Sequence, residues 1–243
     1  MVSRLEKAAA RASEPPERIY KNNGNSPLLA LLTDEAGMVL DIGCGAGDNA
    51  YLLRSKNPGC RVHGITHSPG EAEIARTWMA ACWVFDLEGD IPEELSSMRF
   101  DAIVLSHVLE HLRDPAEILR KFSGLLRPGG HAVIAVPNVL SWSMRWRFMR
   151  GDFEYRSDGV LDDTHLRFFT YLTADRYLLG KASGLKLVSK TVTGSVPQWW
   201  LRRYLLPRNW TACIDALGCR IWPNLFGDQV LLKAVLARRE SPG

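Results

Sequence analysis

Val39-Leu40-Asp41-Ile42-Gly43-Cys44-Gly45-Ala46-Gly47 is the stretch whose reading decides the fold. Its first part is an apolar run that reads as a buried β-strand. Glycine then recurs at every second position, Gly43, Gly45 and Gly47, which reads as a tight turn. Without a Cβ, these residues can take dihedrals closed to other side chains and let a ligand lie directly against the backbone. Asp48 to Ser55 reads as a helix whose free N–H groups point into the same space. A ligand site is expected where this strand ends.

Outward from that stretch, the composition sets the bounds. At 243 residues the chain fits one sizeable domain with insertions. With 46% hydrophobic and 23% charged residues it has the make-up of an ordinary globular protein, and a net charge of +3 does not point to nucleic acid. The cysteines, Cys44, Cys60, Cys82, Cys213 and Cys219, are odd in number and form no C-x-x-C pair, which argues against a disulfide framework or a zinc ribbon. Met1 to Gly24 is polar, and no segment approaches the run of about eighteen apolar residues that marks a membrane span. The expected location is a reducing cytoplasm.

The glycine spacing is G-x-G-x-G with Asp41 inside the strand end, not the G-x-G-x-x-G of dinucleotide binders. In this it resembles the first motif of the class I S-adenosylmethionine (SAM)-dependent methyltransferases. The resemblance implies that Asp41 and the backbone of Gly43, Cys44, Gly45 and Gly47 lie against the amino-acid part of SAM.

Around this strand the chain reads in alternating elements. A helix is expected over Leu28 to Leu32 with Ser26 as N-cap and Pro27 at the first helical position. The second strand is Arg61 to Thr66, and Ser68, Pro69 and Glu71 form a capping box for a helix reaching about Met79. Adenosine binders normally end this strand with Asp or Glu, whose carboxylate accepts from both ribose hydroxyls. Thr66 stands there, as in the G-x-T-x-S pattern of the cyclopropane-forming SAM enzymes, so Thr66 and His67 are the ribose candidates by resemblance. The missing acid also weakens an NAD(P) reading.

A third strand over Cys82 to Phe85 ends at Asp86-Leu87. The resemblance gives Asp86 the adenine amino group and the next backbone N–H a ring nitrogen; a turn cap is the plain alternative for Asp86. The fourth strand, Phe100 to Leu105, runs into Ser106-His107-Val108-Leu109-Glu110-His111, which in the same family faces the sulfonium. His107-x-x-Glu110-His111 also matches the H-x-x-E-H signature of inverted zinc proteases. That chemistry needs a long helix, whereas a strand precedes these residues and Arg113-Asp114-Pro115 follows, so no metal is expected. Asp114-Pro115-Ala116-Glu117 caps the next helix, with Ile118, Leu119, Phe122, Leu125 and Leu126 as its buried stripe. Pro128-Gly129-Gly130 then turns into a strand over His131 to Val136; this L-x-P-G-G turn is a second point of resemblance.

Two insertions follow. The first, 138–170, mixes Trp142, Arg145, Trp146, Arg147, Phe148 and Arg150 with Asp152, Glu154 and Asp158 and does not suit nucleic-acid binding. It closes with Asp162-Asp163-Thr164-His165-Leu166-Arg167-Phe168-Phe169-Thr170, a D-x-T-H-L-R-F-F-T run that resembles methyltransferases of glycan, lipid and secondary-metabolite tailoring. A helix over Thr173 to Ala182 and a sixth strand over Lys186 to Val192 come next. The second insertion, 194–225, contains amphipathic Trp199 to Leu206, suited to a substrate pocket, a partner subunit or peripheral contact with a membrane. Phe226 to Val235 reads as a last strand, antiparallel at the sheet edge.

The expected fold is therefore α/β, a doubly wound, seven-stranded, mostly parallel sheet of the Rossmann-like methyltransferase type. Residues 26–237 make the SAM domain, 1–25 an arm or lid with Tyr20 over the pocket, and 238–243 a tail. The resemblance implies SAM as cofactor and S-adenosylhomocysteine (SAH) as product. Methyl transfer needs a nucleophile about 3 Å from the methyl carbon in line with the leaving sulfur. For a hydroxyl acceptor it also needs a base, and His107, His111 and His165 are the candidates. His165 ranks first, because it lies between Asp163 and Arg167, and Arg167 suits an anionic substrate group. Both residues serve equally well as anchors of the insertion. The reading is a methyltransferase acting on oxygen of a small-molecule, glycan or lipid-linked acceptor. A noncatalytic SAM-binding scaffold subunit and, further off, an NAD(P)-dependent reductase are the alternatives.

Overall fold

A computed structural model describes residues 23–33, 35–180, 184–197 and 208–237. The elements run α1 (Ser26–Leu29), β1 (Met38–Ile42), α2 (Asp48–Lys56), β2 (Arg61–Thr66), α3 (Pro69–Ala75), β3 (Ala81–Val84), α4 (Glu93–Ser96) and β4 (Phe100–Ser106). A single 3₁₀ turn at Leu109–His111 is followed by α5 (Pro115–Ser123), β5 (Leu126–Pro137), α6 (Trp142–Met149), α7 (Ala174–Leu178) and β6 (Leu185–Gly194). The chain continues through α8 (Arg208–Ile221), α9 (Pro223–Phe226) and β7 (Gly227–Leu236). Residues 1–22 of the proposed arm, Tyr20 among them, the Trp199 to Leu206 segment and the tail lie outside the described residues. Among the described residues no helix is long and apolar enough to cross a membrane.

The strands form one seven-stranded sheet in the order β3-β2-β1-β4-β5-β7-β6. Strands β1 to β5 pair in parallel, and β7 is antiparallel to both of its neighbours, β5 and β6. The last strand is thus inserted between β5 and β6, not placed at the edge as its sequence suggested. The physical reason is burial: Val230, Leu231, Leu232 and Ala234 are covered on both faces, as an interior strand requires. The exposed Leu187 and Val188 belong to β6, which takes the edge.

Alternation along β1 and β4 builds a core on each face of the sheet. Leu40, Ile42, Ile103 and Leu105 enter one cluster with Leu119 and Phe122 of α5. Val39, Ala102 and Val104 enter the other with Ala72 and Ala75 of α3. Each large side chain so buried stabilises the fold by roughly 1.5–3 kcal/mol.

Local departures from the sequence reading have simple causes. The N-cap of α1 is Asn25, whose Oδ1 accepts from the Leu28 N–H at 3.2 Å, and the helix stops at Leu29. Helix α3 begins as read, with Ser68 Oγ accepting from the Glu71 N–H at 3.0 Å, but ends at Ala75. Leu126 belongs to β5, not to α5. Pro128-Gly129-Gly130 is looped out within that strand, the partners jumping from Phe100↔Leu126 to Ala102↔His131. Gly129, at φ +83°, supplies the left-handed backbone that this bulge needs.

The order of strands reverses between β1 and β4, and a crevice at the carboxyl ends of such strands is where open α/β sheets bind ligands.

Candidate cofactor and acceptor site

Gly43, Gly45 and Gly47 all have positive φ, at +70°, +52° and +92°. Their surroundings differ. A Cβ on Gly43 would lie 2.3 Å from Val108 Cγ2, and one on Gly47 would lie 3.0 Å from Ala75 Cα, so these two glycines permit close packing. A Cβ on Gly45 would meet only Glu71 Oε1, at 3.9 Å; this is the glycine that faces open space. Cys44 serves the loop's own structure. Its N–H donates to Ile65 O at 2.8 Å, its carbonyl accepts from Gly47 N at 3.0 Å, and its buried thiol lies 3.7 Å from Cys82 Sγ. The hydrogen bond to Cys82, then burial, push that thiol's pKa well up, so it is no nucleophile.

Asp41 is fully buried at the end of β1. Burial raises its pKa to about 7, opposed by a 3.4 Å hydrogen bond from Asn49 Nδ2 and reinforced by Asp48. Its Oδ2 has no hydrogen-bond donor among the described residues. An orphaned, half-ionised carboxyl beside an open glycine turn fits a cationic ligand group, as the ammonium of SAM would supply.

At the end of β2 the structure supplies a residue that the sequence reading did not single out. Thr66 Oγ1 donates to Glu71 Oε2 at 2.7 Å and accepts from Ser68 N at 3.3 Å. Glu71 is 2% exposed, so the first turn of α3 places a buried carboxylate at the strand end where Thr66 replaces the usual acid. The capping box was visible in the sequence; that its glutamate reaches back to Thr66 was not. His67 is exposed, and Asp86 is exposed with Oδ1 accepting from Glu88 N at 2.9 Å. Leu87 packs against the core, and its carbonyl accepts from Lys121 Nζ at 3.0 Å.

A polar chain links this region to the end of β4. Asn49 Oδ1 accepts from Asn25 N at 2.9 Å, and Asn25 Nδ2 donates to Ser106 Oγ at 3.2 Å and to Gln229 Oε1 at 2.9 Å. Gln229 Oε1 also accepts from His107 Nε2 at 2.9 Å. His107 has φ +55°, a conformation rare outside glycine, and its Nδ1 lies 3.3 Å from Glu110 Oε1. Burial lowers the His107 pKa, but the Glu110 carboxylate and the Gln229 oxygen more than offset this and hold it above the usual value. Asn25 and Gln229 were not legible as site residues, because their meeting joins positions far apart in the chain.

The first insertion closes over this edge. Leu166 N and Arg167 N both donate to the Glu110 carbonyl, at 2.8 and 3.0 Å. His111 and His165 meet edge to face with ring centroids 4.7 Å apart. Thr164 Oγ1 lies 2.9 Å from His111 Nδ1 and donates to Asp162 Oδ1 at 2.5 Å. His165 Nδ1 lies 3.0 Å from the Val160 carbonyl. The buried carboxylate of the cluster is thus Asp162, not Asp163, and a backbone carbonyl orients His165. Burial opposes ionisation of Asp162, yet its bonds from Thr164 and the nearby imidazoles hold its pKa below the carboxylate norm. Burial lowers the His111 pKa, Glu110 opposing. Arg167 donates to the carbonyls of Leu166 at 3.2 Å and Arg113 at 2.5 Å, tying the insertion down.

Known proteins resemble this chain in sequence and in fold. A family model described as "Methyltransferase domain" matches residues 17–190. The chain is 33% identical over 108 residues to a ubiquinone biosynthesis O-methyltransferase of Alkalilimnicola ehrlichii, covering 43% of each chain. It is 33% identical over 117 residues to a trans-aconitate 2-methyltransferase of Methylobacterium radiotolerans, covering 47% of this chain and 44% of that one. It therefore spans less than half the length of these curated relatives. A SAM-dependent methyltransferase of Archaeoglobus fulgidus superposes with a TM-score of 0.56 at 20% identity, over 95% of this chain and 93% of that one, and shows the same fold. With the family match covering more than half of the sequence, this chain belongs to the class I SAM-dependent methyltransferases.

Proposed function

We propose that the protein transfers a methyl group from SAM to a hydroxyl oxygen of an acceptor, as a member of the branch carrying D-x-T-H-L-R-F-F-T, within a reducing cytoplasm. The observation that carries this reading is the His111–His165 pair: both Nδ1 atoms are engaged, which leaves both Nε2 atoms for an acceptor proton. Bound SAM supplies an electrophilic methyl group on a sulfonium. The chain's own residues do the rest. Asp41 and the open side of Gly45 hold the amino-acid end, Glu71 with Thr66 holds the ribose hydroxyls, and Asp86 with the Leu87 backbone lies toward the adenine. Ser106 and His107 border the methyl group, and the histidine pair takes the acceptor's proton, with Arg167 at the rim.

Exposed Trp142, Trp146, Met149, Phe153 and Tyr155 line the outside of the same insertion and suit an apolar or lipid-linked acceptor. The relatives' names point to a phenolic or carboxylate-bearing small molecule instead, and a labelled-methyl screen over phenols, hydroxy acids and lipid-linked glycans separates these. Calorimetric titration with SAH, against NADH and NADPH controls, is expected to show micromolar binding of SAH alone. Glu71→Ala is expected to weaken it about tenfold or more, the loss of one charge-assisted hydrogen-bond acceptor. Binding of a nicotinamide cofactor, or of neither, would remove the proposal.

A further inference from the structure

We propose that Glu110, His111 and His165 form a binding site for a divalent transition-metal cation, of which zinc fits the donor set best. One potential ligand atom of each residue lies within 4.8 Å of the others. The sequence spacing drew attention to His107 and His111 as a pair, and it is the fold that replaces His107 with His165 from the insertion.

The positions of the protons carry the inference. Thr164 has one hydroxyl proton, directed at the Asp162 carboxylate, so the proton between Thr164 Oγ1 and His111 is on Nδ1. A carbonyl cannot donate, so His165 likewise carries its proton on Nδ1, facing Val160. With the Nδ1 proton so placed, Nε2 is the nitrogen of each ring left to bind a cation. Glu110 is 0% exposed, and neither of its carboxylate oxygens has a hydrogen-bond partner among the described residues. His107 Nδ1 approaches Oε1 at 3.3 Å without making a directed bond, and it does not serve Oε2. A buried carboxylate whose Oε2 has no partner among the described residues thus stands in one cluster with two imidazoles, His107 facing Oε1 alone, an arrangement that a bound cation resolves.

Two imidazoles and one carboxylate are the protein ligands of open catalytic zinc centres, which keep a further position for substrate or water. The Thr164–Asp162 pair behind His111 and the Val160 carbonyl behind His165 are the outer hydrogen bonds that metal-binding histidines use to fix ring and tautomer. Ligands about 2.0–2.1 Å from zinc in tetrahedral array stand about 3.4 Å apart, so coordination draws the cluster inward by about 1 Å. In the transfer reaction the open position would hold the acceptor oxygen. With the cation bound, His111 and His165 would serve as its ligands and no longer as the proton acceptor; the acceptor's proton would leave to solvent as the O–CH₃ bond forms and the C–S bond breaks with its electron pair passing to sulfur. That role rests on the proposed function; the metal site itself does not.

The test is titration of chelator-treated protein with Co²⁺ and Zn²⁺, followed by visible absorption for Co²⁺ and by calorimetry for both. One equivalent per chain is expected, with the stronger ligand-field bands of four- or five-coordinate Co²⁺. His165→Ala and His111→Ala are each expected to weaken binding by about 100-fold or more, and Thr164→Val, which frees His111 Nδ1, by about 10–100-fold. A cooperative thermal melt followed by circular dichroism confirms that every variant is folded. An octahedral aquo spectrum, or Co²⁺ affinity unchanged in folded His165→Ala, overturns the site. SAH binding without Co²⁺ binding discards the metal and keeps the cofactor reading, and the reverse result keeps the metal and discards the cofactor.

Discussion

Asp41→Asn is expected to weaken SAH binding about 100-fold at pH 8 and, in the same preparation, to make the ligand-free protein more stable. Both effects follow from one buried carboxyl. Its pKa in the folded chain is about 7 against 3.8 in the unfolded reference. Because the folded value is the higher one, the folded state favours the protonated form. Stability from this group is complete below about pH 4, falls as pH rises toward 7, and is lost above that. At about 1.4 kcal/mol per pH unit the loss is about 4 kcal/mol at most. Asparagine keeps the shape without the charge, so the gain should appear at pH 8 and vanish at pH 4 in denaturant melts.

The proposed ligand contact runs the other way. An ammonium beside Oδ2 requires the ionised carboxylate, and removing one partner of a buried pair typically costs about 3–5 kcal/mol. For the unaltered chain, SAH affinity should fall about tenfold for each pH unit below 7, with proton release visible as buffer-dependent calorimetric heat. A variant that is no more stable at pH 8, or that binds SAH undiminished, would show that Asp41 is a structural residue and not the ammonium site.

His165→Ala is expected to lower turnover by about 10²–10⁴-fold while leaving SAH affinity within about twofold, the range a positioned proton-transfer group contributes. The alternative is that His165 only anchors the insertion through Val160. His165→Asn separates the two, because the asparagine amide can donate to the Val160 carbonyl from nearly the position of Nδ1 but has nothing at Nε2. If anchoring is the whole role, the asparagine variant keeps its rate; if Nε2 does the chemistry, both variants lose it. Arg167, whose guanidinium is engaged with the Leu166 and Arg113 carbonyls, is the better candidate for an anchor.

How far the site could be read in advance varied with the range of the interactions. The glycine turn, the strand ends at Thr66 and Ser106 and the caps at Ser68 and Asp114 are local, and each lies where the sequence put it. Glu71 was visible as a cap but not as a partner of Thr66, since the capping pattern says nothing of where the carboxylate turns next. Asp162 was passed over for Asp163 because adjacent acids are equivalent in sequence; only the turn that buries one and exposes the other distinguishes them.

The alternation of strands and helices and the position of the glycine turn at the end of β1 were legible in the chain. Hydrophobic period, glycine placement and proline caps act over a few residues, so they are written directly in the chain. The tertiary structure alone decided that β7 enters between β5 and β6, and that Gln229 thereby reaches Asn25 and His107. It also decided that the insertion carries His165 to Glu110 and His111. Those contacts join residues more than fifty positions apart; burial of apolar strand faces sets the sheet order, and backbone hydrogen bonds from Leu166 and Arg167 to the Glu110 carbonyl hold the insertion over it.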